Sequence, residues 1–167
     1  MGELGQLDGE GPERGAQTGP NPTDRAKLGV KRHIVTDGQG IPISATTTAA
    51  NVHDMRMVGA ALDAVILRAS RGPRRPRHLC LDKGYDFESC QLEARNRGIT
   101  PHIRRRGESP LLGVVYGIAR RWVVERSHSW VNRFRALLIR WERSGPRYEA
   151  LLHLGCALIV LQRLLRT

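Results

Sequence analysis

The sequence is poor in cysteine and in long apolar runs, and each of these two shortages excludes a class of protein. The three cysteines, Cys80, Cys90 and Cys156, are odd in number and form no C-x-x-C pair, so neither a disulfide framework nor a zinc site is indicated. The longest apolar stretch, about residues 150–161, is too short to span a bilayer. We therefore expect a cytoplasmic protein with no membrane segment and no secretory signal.

Basic residues are concentrated in the middle of the chain. Residues 68–147 carry 19 basic and 7 acidic side chains, whereas residues 1–67 carry 6 and 8. Lys83 is the only lysine in the basic block, and the arginine guanidinium suits bidentate contact with phosphate. Clustered positive charge predicts a nucleic acid partner, and Arg104-Arg105-Arg106 suits either its backbone or a solvated strand edge.

Turn-forming residues divide the first half of the chain. Residues 1–29 are rich in glycine and proline, which predicts an irregular lead-in that holds at most a remnant of a first strand. Two β-rich runs, residues 30–36 and 41–48, flank an Asp37-Gly38 turn and predict a hairpin.

The rest of the chain alternates between helical and strand patterns, which gives a β-β-α-β-α-β order followed by two helices. Apolar spacing and breaker residues set the approximate bounds. The predicted elements are a helix from a capping Asp54 to about Leu67, a strand at 78–81, a helix at 88–97, a strand at 99–103, and helices at about 119–141 and 148–165. We expect the tryptophans of the 119–141 helix to pack in the core, and the last helix to be largely buried.

Two acidic residues stand beside apolar elements inside the basic block. Asp82 follows the strand at 78–81, and Glu125 falls on a polar helix stripe with Arg121, His128 and Asn132. A carboxylate at the end of a buried strand is costly unless it is paired or holds a metal. The simpler interpretations are a turn residue for Asp82 and an ion pair with Arg121 for Glu125.

Several ordered segments of the chain match one known family. They are Thr18 to Arg25, Gly29 to His33, Asn51 to Asp54, Asp82 to Asp86, and Trp122 to Arg126 followed by Trp130 and by Asn132 to Phe134. Together these segments resemble the DDE transposases of bacterial insertion sequences. The resemblance implies an α/β, ribonuclease H-like fold, in which a mixed sheet is flanked by helices and the C-terminal helix is mostly buried.

The resemblance also implies a metal site. In this family three carboxylates hold two divalent ions, Mg²⁺ or Mn²⁺, which act on a phosphodiester. Asp82 matches the second carboxylate and Glu125 the third, while Asp8 is the only upstream aspartate that can be the first. Arg121 matches a DNA-binding arginine of the family, whereas Asn132 stands where many members have a basic residue.

The partners that the resemblance implies are double-stranded DNA at transposon ends and target, and further copies of the chain in a homo-oligomer on DNA at the nucleoid. We expect Arg104, Arg105, Arg106, Arg121 and Lys83 to contact that DNA. Residues 30–167 would form the catalytic domain, with the helical N-terminal portion encoded upstream. The alternatives are an inactive DNA-binding remnant, from a decayed copy, and a ribonuclease H-like nuclease.

Overall fold

The computed structural model describes residues 17–22, 25–65, 68–69, 72–73, 76–103 and 121–166. These residues form an α/β structure with an antiparallel sheet, a short hairpin, a parallel strand pair and five helices. In chain order the elements are β1 (Gly19–Pro20), β2 (Leu28–Thr36), β3 (Pro42–Ala49), α1 (Val58–Asp63), β4 (Arg68–Ala69), β5 (Gly72–Pro73), β6 (His78–Leu81), α2 (Glu88–Arg95), β7 (Thr100–Ile103), α3 (Arg121–Val131), α4 (Arg135–Leu138) and α5 (Gly145–Leu164).

The predicted hairpin is confirmed as β2 and β3, which pair in antiparallel register from Val30 opposite Ala49. Its turn is closed by Asp37, whose Oδ1 accepts hydrogen bonds from the backbone N–H groups of Gln39 and Ile41, both at 2.8 Å. A carboxylate that satisfies local N–H groups is a common reason for aspartate in a turn. On the other edge of the hairpin, β1 pairs only with the first two residues of β2.

The second sheet is the parallel pair β6 and β7, joined by α2. The strand predicted at 78–81 is confirmed with those bounds, and Gly98, with φ +70°, follows α2 as expected for a helix terminator. Among the described strands no ladder joins β2 to β6, and the expected single mixed sheet stays a prediction. The predicted first-strand remnant around Asp8 lies outside the described residues, and the division at residue 30 stays a prediction.

Two apolar clusters form the interior. One lies between the β2–β3 hairpin and helices α3 to α5, and it contains Val30, Ile34, Ala45, Val131, Leu137, Tyr148, Leu152, Cys156 and Ile159. The other lies between α1, α2 and the β6–β7 pair, and it contains Val58, Leu62, Leu79, Leu81, Tyr85, Cys90, Ala94 and Ile99. The Ser44 hydroxyl donates to the carbonyl of Ala61 at 2.7 Å and so ties β3 to α1.

The helix predicted at 119–141 is divided in the structure. Helix α3 ends at Val131 and α4 begins at Arg135, with residues 119–120 outside the described part. The expected burial of the tryptophans is wrong for Trp122, which is 53% exposed, and for Trp141, which is 65% exposed. Trp141 lies beyond the end of α4, so the spacing of one continuous helix does not apply to it, whereas Trp122 lies within α3 and is exposed all the same. Of the three tryptophans, Trp130 packs against the core.

Helix α5 is buried along one face rather than on most faces. Tyr148, Leu152, Cys156 and Ile159 point inward. Leu154, Leu158, Leu161, Leu164 and Leu165 are exposed. The prediction of a mostly buried helix is therefore wrong, because residues of the described part cover only the side that faces the hairpin. Within the described ranges, no helix is both long and apolar enough to cross a membrane.

Strand β2 carries three consecutive polar residues, Lys31, Arg32 and His33. Arg32 and His33 are buried, and Lys31 and His33 meet an aspartate. Asp54 was expected to cap the first helix, but it begins a 3₁₀ turn (Asp54–Met57) that leads into α1. The cap of that turn is His53, whose Nδ1 accepts a hydrogen bond from the N–H of Met55. Asp54 is instead buried, with Lys31 Nζ 3.2 Å and His33 Nδ1 3.8 Å from its Oδ1. Burial lowers the pKa of His33 to about 4, while Asp54 acts in the opposite direction.

We expect this buried histidine to destabilise the protein in weak acid. The pKa of His33 falls from 6.5 in the unfolded chain to about 4 in the folded protein, so only the unfolded chain binds a proton between those values. The free energy of unfolding should fall by about 3 kcal/mol as the pH drops through that window. Urea unfolding at pH 7 and pH 4.5 should show a smaller drop for His33→Gln. Equal drops in both proteins would show that His33 is not the responsible group.

Candidate active site

Asp82 is held rigidly at the C-terminal end of β6. Leu81 and Tyr85, on either side of it, are both buried in the apolar cluster beneath the β6–β7 pair. Between them the chain makes a 3₁₀ turn over Lys83–Tyr85, and Asp82 Oδ1 accepts a hydrogen bond from Gly84 N–H at 2.7 Å. The half-buried carboxylate is thus fixed by the turn that follows the strand.

Gly84 makes room for that carboxylate. A Cβ at position 84 would lie 2.9 Å from Asp82 Oδ1, so any larger residue would displace the acid from its place above the turn. Lys83 is exposed beside it. The Asp-Lys-Gly sequence therefore places one carboxylate and one ammonium group just after the end of β6. Glycine is needed at position 84 because the Asp82 carboxylate lies so close to its backbone.

Glu125 projects to solvent from α3 because of the residues around it. Val123, Ser127 and Val131 recur at four-residue spacing and are all buried. Glu125 lies off this buried face and is exposed. Arg121 begins the same helix one turn before Glu125.

The β2–β3 turn fixes the position of α3. The Ser127 hydroxyl donates to the carbonyl of Gly40, and Arg126 Nη2 donates to the carbonyl of Gln39. The Arg126 guanidinium also lies over the rings of Trp122 and Trp130, at 4.8 and 5.2 Å from their centroids. The helix that carries Glu125 is therefore joined to a loop that lies more than eighty residues earlier in the sequence.

We expect Gly40→Ala to weaken the contact between the β2–β3 turn and α3. Gly40 has φ +82°, and a Cβ there would lie 2.9 Å from the backbone oxygen of Val123, so α3 would have to move. The free energy of unfolding should fall by roughly 2 kcal/mol in a urea titration. Gly98→Ala is the matched control, since Gly98 has φ +70° but its Cβ would meet nothing within 4 Å. Equal losses in the two variants would mean that the contact with α3 contributes nothing.

A buried arginine holds the end of α3. Arg32 is fully buried on the hairpin face that meets α3 and α5, and its Nη2 donates to Asn132 Oδ1 at 2.7 Å. Its Nε and Nη1 are buried without a hydrogen-bond partner, and burial lowers its pKa. Asn132, the first residue after α3, thereby connects the helix end to β2 across 100 positions of sequence.

This contact corrects the predicted polar stripe on the helix. His128 is buried and Asn132 points toward Arg32, so only part of that stripe faces solvent. The sequence reasoning missed Arg32 altogether. An arginine between Lys31 and His33 has the pattern of a solvated strand face, and no signal in the sequence reveals its burial.

We expect Asn132→Leu to cost about 2–4 kcal/mol of stability, because it removes the hydrogen-bond acceptor of a buried charge. In Arg32→Met the charge is absent, so the double variant Arg32→Met/Asn132→Leu should be more stable than Asn132→Leu alone. Chemical unfolding of the four proteins gives the coupling energy directly. Additive losses would show that the two side chains do not depend on each other.

The described structure contains part of the predicted site. Asp82 directly follows β6 and Glu125 lies on α3, whereas Asp8 and the arginines at 104–106 lie outside the described ranges. Across those ranges, no three His, Cys, Asp or Glu side chains are grouped so as to hold a metal ion. The two carboxylates that the structure describes therefore do not complete a metal centre alone.

The fold and these two positions define an α/β domain that presents one carboxylate from a strand end and another from a helix. The family described as "Transposase DDE domain" matches residues 7–160. The putative transposase for insertion sequence element IS402 from Burkholderia cepacia is 45% identical over 153 residues, which cover 90% of this chain and 71% of the relative. The chain belongs to the DDE transposases of insertion sequences. No solved structure matches it.

Proposed function

We propose that this chain acts on the DNA ends of an insertion sequence by metal-dependent phosphodiester hydrolysis and strand transfer. The observation that carries the proposal is the placement of Asp82. Its carboxylate is fixed at the end of a buried strand by the Gly84 N–H, inside a chain whose family match runs from residue 7 to residue 160. We further propose that the whole domain is ribonuclease H-like and spans residues 30–167.

The carboxylates fit the metal that the family uses. Oxygen ligands are those that Mg²⁺ and Mn²⁺ prefer, and Asp82 and Glu125 would hold the ions together with Asp8, which lies inside the matched range. When bound, a pair of such ions activates the attacking oxygen and stabilises the leaving oxygen. The turn at Gly84 orients Asp82 for this role, and the hairpin turn at Gly40 fixes the helix that presents Glu125.

Basic residues surround these carboxylates and suit contact with DNA phosphates. Lys83 is exposed directly beside Asp82, and Arg121 lies one helical turn before Glu125. We assign the same role to Arg104, Arg105 and Arg106. Such contacts are electrostatic, so binding should weaken steeply as salt is added.

The partners beyond DNA are also proposals. We propose that this catalytic portion works with an N-terminal portion encoded upstream. A homo-oligomer assembled on paired DNA ends at the nucleoid is the arrangement we expect of a transposase.

We expect Asp82→Asn and Glu125→Gln each to reduce nicking and strand transfer at least about a thousandfold, since each removes a charged metal ligand without changing its shape. The assay uses Mg²⁺ or Mn²⁺ and DNA that carries the neighbouring terminal repeats, with the native chain alone and with its upstream-encoded portion. Asp8→Asn tests the first carboxylate in the same way. Glu88→Gln, which neutralises an exposed acid on α2, is the matched control and should leave activity unchanged.

The outcomes separate the candidate functions. Joining of a 3′-hydroxyl end to target DNA identifies a transposase, whereas cleavage without joining identifies a nuclease. A native chain that binds DNA and stays inert under both conditions would establish an inactive remnant. Activity that survives Asp8→Asn would place the first carboxylate elsewhere.

A further inference from the structure

Two histidines meet on the surface of the β6–β7 pair. The Nδ1 atom of His78 lies 2.9 Å from the Nε2 atom of His102, and the ring centroids are 5.1 Å apart. His78 is exposed and His102 is half-buried, so solutes in the solvent can reach the pair. Neither residue belongs to the candidate active site.

The strand register explains why the two rings converge. Leu79 and Leu81 point into the apolar core, so His78 and Cys80 project from the opposite face of β6. In the parallel ladder Cys80 is the register partner of His102. The face that does not touch the core therefore carries two imidazoles and a thiol within a single pair of four-residue strands.

The spacing of the two nitrogens is close to that of a chelate. A tetrahedral Zn²⁺ ion with Zn–N bonds of about 2.05 Å holds two imidazole nitrogens about 3.3 Å apart. At the observed 2.9 Å the two nitrogens share a hydrogen bond, so the donor ring would have to change tautomer and both rings would have to turn slightly for their lone pairs to converge on one ion. Imidazole nitrogen selects zinc, nickel or copper over magnesium, which prefers oxygen.

We infer that His78 and His102 form a two-histidine site for a borderline transition metal ion such as Zn²⁺. The part of the chain that the structure describes holds no group of three His, Cys, Asp and Glu side chains there, so the two imidazoles are the ligands that we assign. Asp82 lies four residues beyond His78, roughly 13 Å along an extended strand, and two residues beyond Cys80, the register partner of His102, roughly 7 Å. A bound ion would join β6 to β7 and stabilise the strand that ends at Asp82.

The test is zinc binding by the untagged full chain in buffer that contains millimolar Mg²⁺. Calorimetric titration with zinc chloride should give one saturable site per chain. His78→Asn and His102→Asn should each weaken binding about tenfold or more. His153→Asn is the matched control, since its ring is also solvent-accessible but bonds the carbonyl of Ala45. Its affinity for zinc should equal that of the native chain.

Imidazole nitrogen NMR gives a second measurement that needs no variant. Of the six histidines, His78 and His102 should shift on addition of zinc while the other four stay in place. Native affinity in both His78→Asn and His102→Asn would overturn the inference. So would an equal loss in His153→Asn, or a shift spread over all six rings, since each would show that zinc binds without a defined site.

Discussion

The candidate active site depends on the packing of helix α3 against the β2–β3 turn. Gly40 adopts a left-handed conformation and lies so close to the backbone of Val123 that no side chain fits between them. Ser127 and Arg126 then bond the two carbonyls of that turn. None of the predicted metal ligands lies in this turn, and its role is to fix the direction in which α3 presents Glu125.

The polar interior of β2 extends the same constraint to both faces of the hairpin. Arg32 points to α3 and bonds Asn132, while Lys31 and His33 point to the other face and meet Asp54. Each buried polar group is costly unless a partner from another element satisfies it. Strand β2 has such partners on both faces, and its polar side chains therefore help to fix the end of α3 on one face and the Asp54 segment on the other.

How far the sequence determined these features depends on how local they are. The hairpin, the strand that ends at Asp82 and the exposure of Glu125 follow from alternation, turn residues and helical spacing, and the structure agrees with each. The burial of Arg32 does not follow, because it is decided by a helix end about a hundred residues away, and the exposure of Trp122 has no sign in the local spacing either. Arg126 illustrates the difference: the sequence places it in the basic block, while the structure uses it to hold a turn.

The central claim is that Asp82 and Glu125 bind metal together, and paramagnetic broadening by Mn²⁺ tests it most directly. The account predicts that substoichiometric Mn²⁺ broadens the backbone amide signals of Gly84 and Arg126 in parallel, and that Asp82→Asn removes both effects. Broadening of one amide without the other would contradict the account. So would an Asp82→Asn protein in which the Arg126 signal still broadens as in the native chain.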